Sequence, residues 1–124
     1  MSTKVGYLLK ANEGVYNVIR QALPPDCELL TLPDVTGRLD ELEFLIAGKV
    51  TRELVEKAPR LRLIQTPGVG YDGIDLEAAS ERGIPVAYTI CGNTDEVAEH
   101  TLLLMLAVSR RLTEIDGELR KGHW

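Results

Sequence analysis

Short apolar runs alternate with stretches of helical periodicity from residue 4 to residue 88. The runs are short and continuous, as expected of strands in a parallel sheet that is covered on both faces. They occupy residues 4–9, 27–32, 44–47, 61–66 and 85–88. Apolar residues recur at helical spacing at residues 15–23, 51–58 and 76–82, with a weaker helical turn at 38–42. This alternation predicts an α/β fold, a doubly wound five-stranded parallel sheet with right-handed crossovers.

Individual residues mark where the predicted helices begin and end. Pro24 and Pro25 stop the first helix, because proline lacks a backbone N–H and restricts the residue before it. Thr51 is suited to cap the N-terminus of the second helix. Gly83 is suited to end the third, because glycine readily adopts the left-handed conformation.

A glycine-rich loop with the sequence PGVGYDGID joins the fourth strand to the third helix. We call residues 67–75 the glycine loop. Glycines leave backbone N–H groups open to a small anion, although a simple strand-to-helix turn has the same composition. Ligands of doubly wound sheets bind at the carboxyl ends of the strands, and both this loop and residues 89–93 leave such an end. The sequence therefore indicates a candidate anion site, with the simple turn as the alternative.

A long helix is predicted after residue 93. Asn93 and Glu96 have the spacing of a capping box. Residues 97–108 are apolar nearly all round, and amphipathic character returns at residues 110–119. Because a helix that is apolar all round is buried on more than one side, we expect another domain or a second copy of the chain to cover it.

Composition narrows the choice of partner and location. The 124 residues carry a formal net charge of −5, which argues against binding nucleic acid. Cys27 and Cys91 form no CxxC pair and, with only two histidines, predict free thiols and no metal site. The longest apolar run, residues 102–108, is too short to cross a membrane, and the N-terminus has no signal-peptide pattern. We expect a soluble, cytoplasmic protein.

Several motifs, in their order and spacing, resemble the NAD-dependent D-2-hydroxyacid dehydrogenases. This group contains phosphoglycerate, glyoxylate/hydroxypyruvate and formate dehydrogenases and the C-terminal-binding corepressors. The motifs are LIQ at 63–65, GVGYDGID at 68–75, AA at 78–79, RGIPV at 82–86, NTDEVAEHT at 93–101, the Leu-rich helix, RR at 110–111 and GHW at 122–124. The resemblance is specific over roughly residues 40–124 and covers the first 40 residues only by pattern.

The resemblance implies an oxidoreductase that transfers a hydride between NAD(P) and a small 2-hydroxy or 2-oxo acid. Residues 1–92 would be its flavodoxin-like substrate-binding domain. Residues 93–124 would be a linker helix that leads into a cofactor domain. In this family the long helix also builds the dimer interface, so a homodimer through the helix at residues 94–116 is expected.

The resemblance also implies roles for individual residues. The backbone N–H groups of Val69 and Gly70 match positions that hold the substrate carboxylate. Tyr71 either walls the substrate pocket or only packs, and Asn93 contacts the substrate, caps the helix, or does both. Val69 and Val97 would lie against the cofactor. No catalytic residue is expected within this chain.

The chain lacks other parts of the family pattern. It contains no GxGxxG fingerprint, the family's catalytic Arg, Glu and His lie beyond its matched motifs, and His100 belongs to a structural Glu-His-Thr motif. We therefore expect a truncated enzyme that alone binds neither NAD nor NADP tightly and is inactive. The alternative is a stand-alone small-carboxylate-binding or corepressor-like module. A receiver domain and a flavodoxin are disfavoured, because the loops after the first and third strands lack their acidic and phosphate-binding residues.

Overall fold

Five parallel strands form a sheet in the computed structural model, which describes residues 2–90 and 92–124. The strands are β1 Thr3–Tyr7, β2 Cys27–Thr31, β3 Phe44–Ile46, β4 Leu63–Gln65 and β5 Val86–Ala87. Their order is β2-β1-β3-β4-β5. This is the order of flavodoxin-like sheets, so the predicted α/β class is confirmed.

Helices alternate with the strands. They are α1 Glu13–Ala22, α2 Arg52–Lys57, α3 Leu76–Glu81, α4 Thr94–Ser109 and α5 Leu112–Arg120. The weak turn expected at residues 38–42 is the short 3-10 turn Leu39–Glu41, and a second 3-10 turn, Asp34–Gly37, precedes it. The strands are shorter than the apolar runs, because residues at the ends of each run leave the paired ladder. No helix among the described residues is both long and apolar enough to span a bilayer.

Aliphatic side chains from the strands and helices form one core. Leu45 of β3 and Ile64 of β4 are 1% and 0% exposed. Val55 of α2 and Ala79 of α3 belong to the same buried cluster. Burial of these residues accounts for the continuous apolar runs and provides the main driving force for folding.

The ends of α2 and α3 confirm two predictions about single residues. The Thr51 hydroxyl accepts a hydrogen bond from the Leu54 N–H at 3.3 Å, so Thr51 is the N-cap of α2. Gly83 follows α3 with a φ of 64°, and its N–H donates to the Ser80 carbonyl at 2.9 Å. Gly83 therefore ends α3 in the left-handed conformation.

Arg82 and Arg52 hold α2 and α3 together. The Arg82 guanidinium lies over the end of α2 and donates to three backbone carbonyls, those of Val55, Ala58 and Pro59. The Val55 and Ala58 carbonyls also accept the backbone N–H groups of Ala58 and Leu61, so Arg82 adds a second donor to each of them. Near the start of α2, Arg52 pairs with Glu81, and this lowers the pKa of the Glu81 carboxyl. Helices α2 and α3 are thus joined by their side chains.

The chain forms two compact units, Met1–Ile90 and Cys91–Trp124. The second contains α4 and α5 and corrects the prediction of one helix over residues 94–116. Arg111 adopts the left-handed conformation with a φ of 51°, which ends α4 and begins α5. Cys91, predicted to carry a free thiol, lies outside the described residues, whereas Cys27 is half-buried and free.

The expected capping box at the start of α4 is wrong for this chain, whereas the covering of α4 by another domain or a second copy stays a prediction. Among the described residues of α4 none is buried, and Leu103, Leu104 and Met105 are at least half exposed. Two helices cannot cover an apolar surface that runs round the whole circumference of one of them. Asn93 is the N-cap, but its side chain caps no N–H group in the part of the chain that the structure describes. Its ψ of 30° differs from the extended ψ of 163° at Thr51, where the side-chain oxygen reaches the first turn.

Candidate functional site

The first half of the glycine loop is tied to the neighbouring strand ends. Thr66 at the end of β4 is 0% exposed, and its hydroxyl donates to the Gly68 carbonyl at 2.7 Å. The same carbonyl accepts the Thr89 N–H at 3.0 Å, from the segment that follows β5. The loop therefore leaves the carboxyl edge of the sheet in a defined conformation.

The second half of the loop is held against the segment that follows β3. The Gly73 carbonyl accepts the Val50 N–H at 2.9 Å, and the Val50 carbonyl accepts the Asp75 N–H at 2.9 Å. A Cβ at Gly73 would collide with the carbonyl oxygen of Gly48. Only glycine therefore permits this close approach of two backbones. Asp75 then caps α3, accepting the Ala78 N–H at 2.9 Å.

Between these anchors the backbone of the loop is open to solvent. Gly68, Val69 and Gly70 are exposed, and the Val69 side chain is 65% exposed. Within residues 2–90 and 92–124, no group accepts a hydrogen bond from the N–H groups of these three residues. A Cβ at Gly70 would have only the Asp72 carboxylate nearby, at 3.8 Å. Consecutive free N–H groups on a fixed, uncrowded loop can accept a carboxylate or another small anion.

Tyr71 both packs and lines a cleft. Its ring lies 5.8 Å from the ring of Tyr88, at an angle of 52°. With Leu76 and Val86, the two tyrosines line a cleft of about 230 Å³. Tyr71 is 46% exposed and directly follows the open N–H groups of the loop. The position of Tyr71 is therefore compatible with both roles, a wall of the substrate pocket and a packing residue.

The other predicted site residues lie in the second unit. Asn93 is exposed at the start of α4. Val97 is 54% exposed, and its carbonyl accepts the Thr101 hydroxyl at 2.7 Å. Val69, Gly70 and Tyr71 are thus consecutive in one loop, whereas Asn93 and Val97 share the first turns of a helix.

Both histidines are exposed residues of the second unit. His100 is exposed on α4. The His123 Nδ1 lies 2.7 Å from the Glu118 carboxylate, and this contact together with Lys121 lowers the pKa of Glu118. In the described part of the chain, no three His, Cys, Asp or Glu side chains are grouped as metal ligands.

Thr66 and Thr89 are site residues that sequence reasoning missed. Their hydrogen bonds to the Gly68 carbonyl fix the loop, yet neither belongs to a recognisable motif. The available signal was a polar residue at the end of a predicted strand, directly before Pro67 and the first loop glycine.

The strand order and the glycine loop define a flavodoxin-like α/β domain with an open, glycine-rich loop at its carboxyl edge. The model of the D-isomer specific 2-hydroxyacid dehydrogenase catalytic domain matches residues 9–117. The chain belongs to this family, and the resemblance found in its motifs is confirmed.

Individual relatives agree with this assignment. The chain is 45% identical over 86 residues to a glyoxylate reductase of Thermococcus litoralis, an alignment that covers 69% of the chain and 26% of that enzyme. It therefore spans about a quarter of that relative's length. Relatives of this kind are oxidoreductases.

Solved structures give the same result. A D-lactate dehydrogenase from Aquifex aeolicus, complexed with NAD and lactic acid, has a TM-score of 0.86 and 30% identity, over 97% of this chain and 38% of that one. An NADPH-dependent glyoxylate/hydroxypyruvate reductase from Sinorhizobium meliloti, complexed with NADP and malonate, has a TM-score of 0.82 and 28% identity. That match covers 100% of this chain and 40% of the reductase.

Proposed function

We propose that the chain is the substrate-binding part of an NAD(P)-dependent D-2-hydroxyacid dehydrogenase. Residues 1–92 would form the substrate-binding domain, and residues 93–124 the linker that leads to a cofactor domain. The complete enzyme would transfer a hydride between NAD or NADP and a small 2-hydroxy or 2-oxo acid. Family membership and the open glycine loop support this proposal.

The single observation that carries the proposal is the set of free N–H groups at Gly68, Val69 and Gly70. In the proposed complex, the N–H groups of Val69 and Gly70 donate to the substrate carboxylate. Holding the carboxylate fixes the position of C2 of the acid. The hydride would move between this carbon and the cofactor. Tyr71 would wall the pocket, and Asn93 would contact the substrate.

The residues of this chain do not fit a dinucleotide phosphate site, because the sequence contains no GxGxxG turn. NAD or NADP is assigned to the complete enzyme, and Val69 and Val97 are the positions proposed to lie against it. The chain alone is expected to bind neither cofactor tightly.

A homodimer and a cytoplasmic location are also part of the proposal. The exposed apolar side chains of α4 give a second copy of the chain a surface to cover. The half-buried free thiol of Cys27 suits a reducing compartment.

Activity assays test the proposal. The complete polypeptide that carries this chain should oxidise NADH or NADPH with glyoxylate, hydroxypyruvate or pyruvate, whereas the chain alone should not. A Gly70→Ala variant of the complete polypeptide should raise KM for the acid, because the new methyl group crowds the N–H groups. Clear turnover by the chain alone, or none by the complete polypeptide, would contradict the proposal. The second result would favour a non-catalytic carboxylate-binding module.

A further inference from the structure

Three basic side chains of the first unit have no hydrogen-bond or ion-pair partner among the described residues. Within residues 2–90, all Lys and Arg side chains except these three contact a carboxylate or a backbone carbonyl. The ion pairs of Lys4, Arg38 and Arg52 are examples. The basic side chains without such a partner among the described residues are those of Lys10, Lys49 and Arg60.

Two of these three lie at the same edge as the glycine loop. Lys10 follows β1 and Lys49 follows β3, so both lie at carboxyl ends, whereas Arg60 precedes β4 at the opposite edge. In the sheet, β3 is hydrogen-bonded to β4, the strand that the glycine loop leaves. Lys49 is therefore the nearer of the two to the loop in the order of strands.

The backbone at Lys49 is fixed against the glycine loop. Gly48 lies in close contact with Gly73, and the Lys49 Cα is 3.4 Å from the position that a Cβ on Gly73 would take. Val50, the next residue, is 1% exposed and exchanges hydrogen bonds with Gly73 and Asp75. The Lys49 side chain is exposed. Its backbone is fixed, and its ammonium group has no partner among the described residues.

We infer that the acid bound at the glycine loop carries a second negatively charged group, a carboxylate or a phosphate, and that Lys49 binds it. This inference rests on the proposed function, in which the loop N–H groups hold the first carboxylate. Lys49 and the glycine loop follow β3 and β4, which are hydrogen-bonded neighbours with axes about 4.8 Å apart.

The charge balance of this edge supports a doubly charged ligand. Asp72 is exposed within the loop and opposes any anion there, while Asp75 is engaged as the cap of α3. Lys49 offsets Asp72, and Lys10 adds a further positive charge at the same edge. Lys49 is accordingly a specificity-determining residue, which distinguishes dianionic from monoanionic acids.

Titration of the isotopically labelled chain, followed by its amide resonances, tests this role. The probes are glycolate with one charge, malate with a second carboxylate and 3-phosphoglycerate with a phosphate. The test variant is Lys49→Gln. The control is Arg60→Gln, which also removes one positive charge without a partner among the described residues, but at the opposite edge of the sheet. Lys49→Gln should weaken binding of the preferred dianion about fivefold and leave glycolate unchanged. Arg60→Gln should leave all three affinities unchanged.

The outcomes separate the inference from the proposed function. Tighter binding of malate identifies a carboxylate as the second group, and tighter binding of 3-phosphoglycerate identifies a phosphate. If glycolate binds at Val69 and Gly70 but neither dianion binds more tightly, or if Lys49→Gln changes no affinity, the inference fails and the proposed function stands. If no acid moves the resonances of Val69 and Gly70, both fail. Thermal unfolding of each variant shows that the fold is retained.

Discussion

Two glycines of one loop have opposite structural demands. Gly73 lies against the Gly48 carbonyl where no side chain fits, whereas a Cβ at Gly70 would have only the Asp72 carboxylate within 4 Å. Gly73 is therefore needed for the fold, whereas the surroundings of Gly70 leave room for a side chain. The loop combines a rigid anchor with an open surface over a few residues.

At the residue scale, Gly73→Ala should lower the free energy of unfolding by about 2 kcal/mol, because the new Cβ forces two packed backbones apart. Gly68→Ala is the matched control, since a Cβ there would meet nothing within 4 Å. Urea denaturation of both variants measures the difference. Equal stability of the two variants would show that the contact with Gly48 is not tight.

Thr66→Val should cost about 1 kcal/mol of stability, because it removes a buried hydroxyl that donates to the Gly68 carbonyl. The carbonyl keeps the Thr89 N–H as a donor, so the cost stays moderate. Thr36→Val, at an exposed hydroxyl bonded to Pro33, is the control and should cost less. A larger loss at Thr36 in urea denaturation would contradict the importance of the buried bond.

At the element scale, α2 and α3 depend on Arg82 for their relative position. Arg82→Met should lower the free energy of unfolding by about 2 kcal/mol, because it removes a charged donor to the three carbonyls at the end of α2. Arg62→Met removes an exposed side chain whose contact to Glu43 is long, 3.5 Å, and should change stability little. Chemical denaturation measures the free energy of unfolding of both variants. An equal loss in the two would contradict a stabilising role for the Arg82 hydrogen bonds.

A group of ion pairs joins β1, β2 and the 3-10 turns. The hydrogen bond from Lys4 is the main cause that lowers the pKa of Glu28, and the hydrogen bond from Arg38 is the second. The hydrogen bonds from Arg38 also lower the pKa of Glu41. Both carboxylates titrate lower in the folded chain than in the unfolded chain. Their contribution to stability is therefore complete above their ordinary pKa and is lost as the pH falls through the folded values.

Unfolding in urea at a series of pH values tests this linkage. The free energy of unfolding should decrease as the pH falls below the ordinary carboxyl range, and the double variant Glu28→Gln, Glu41→Gln should show a shallower decrease. Glu56→Gln, at an exposed position, should follow the original chain. A double variant with an unchanged pH profile would show that the pairs contribute nothing.

Prediction from sequence succeeded where structure depends on local pattern. The five strands, the position of the glycine loop and the Thr51 and Gly83 helix ends follow from apolar periodicity and from the properties of single residues. The break at Arg111 did not follow, because arginine has no intrinsic preference for the left-handed conformation. The bond from Thr66 to Gly68 and the collision at Gly73 depend on tertiary contacts that no local pattern records.

At the scale of the whole molecule, the exposed apolar surface of α4 should drive self-association. Sedimentation equilibrium should detect a dimer of the chain, and the double variant Leu103→Glu, Leu106→Glu should be monomeric, because charge on that surface opposes its burial. Val18→Glu, on α1, is the control and should remain dimeric. A chain that is monomeric at every concentration would contradict the proposed homodimer.

The carboxylate site of the glycine loop is tested most directly by comparing glycolate with its neutral analogue glycolamide. Both are added to the isotopically labelled chain, and the amide resonances are followed by NMR. Glycolate should shift the resonances of Val69 and Gly70 in a saturable way, and glycolamide should not, because the free N–H groups favour a charged acceptor. Unmoved resonances, or equal shifts with both compounds, would contradict a carboxylate site at this loop.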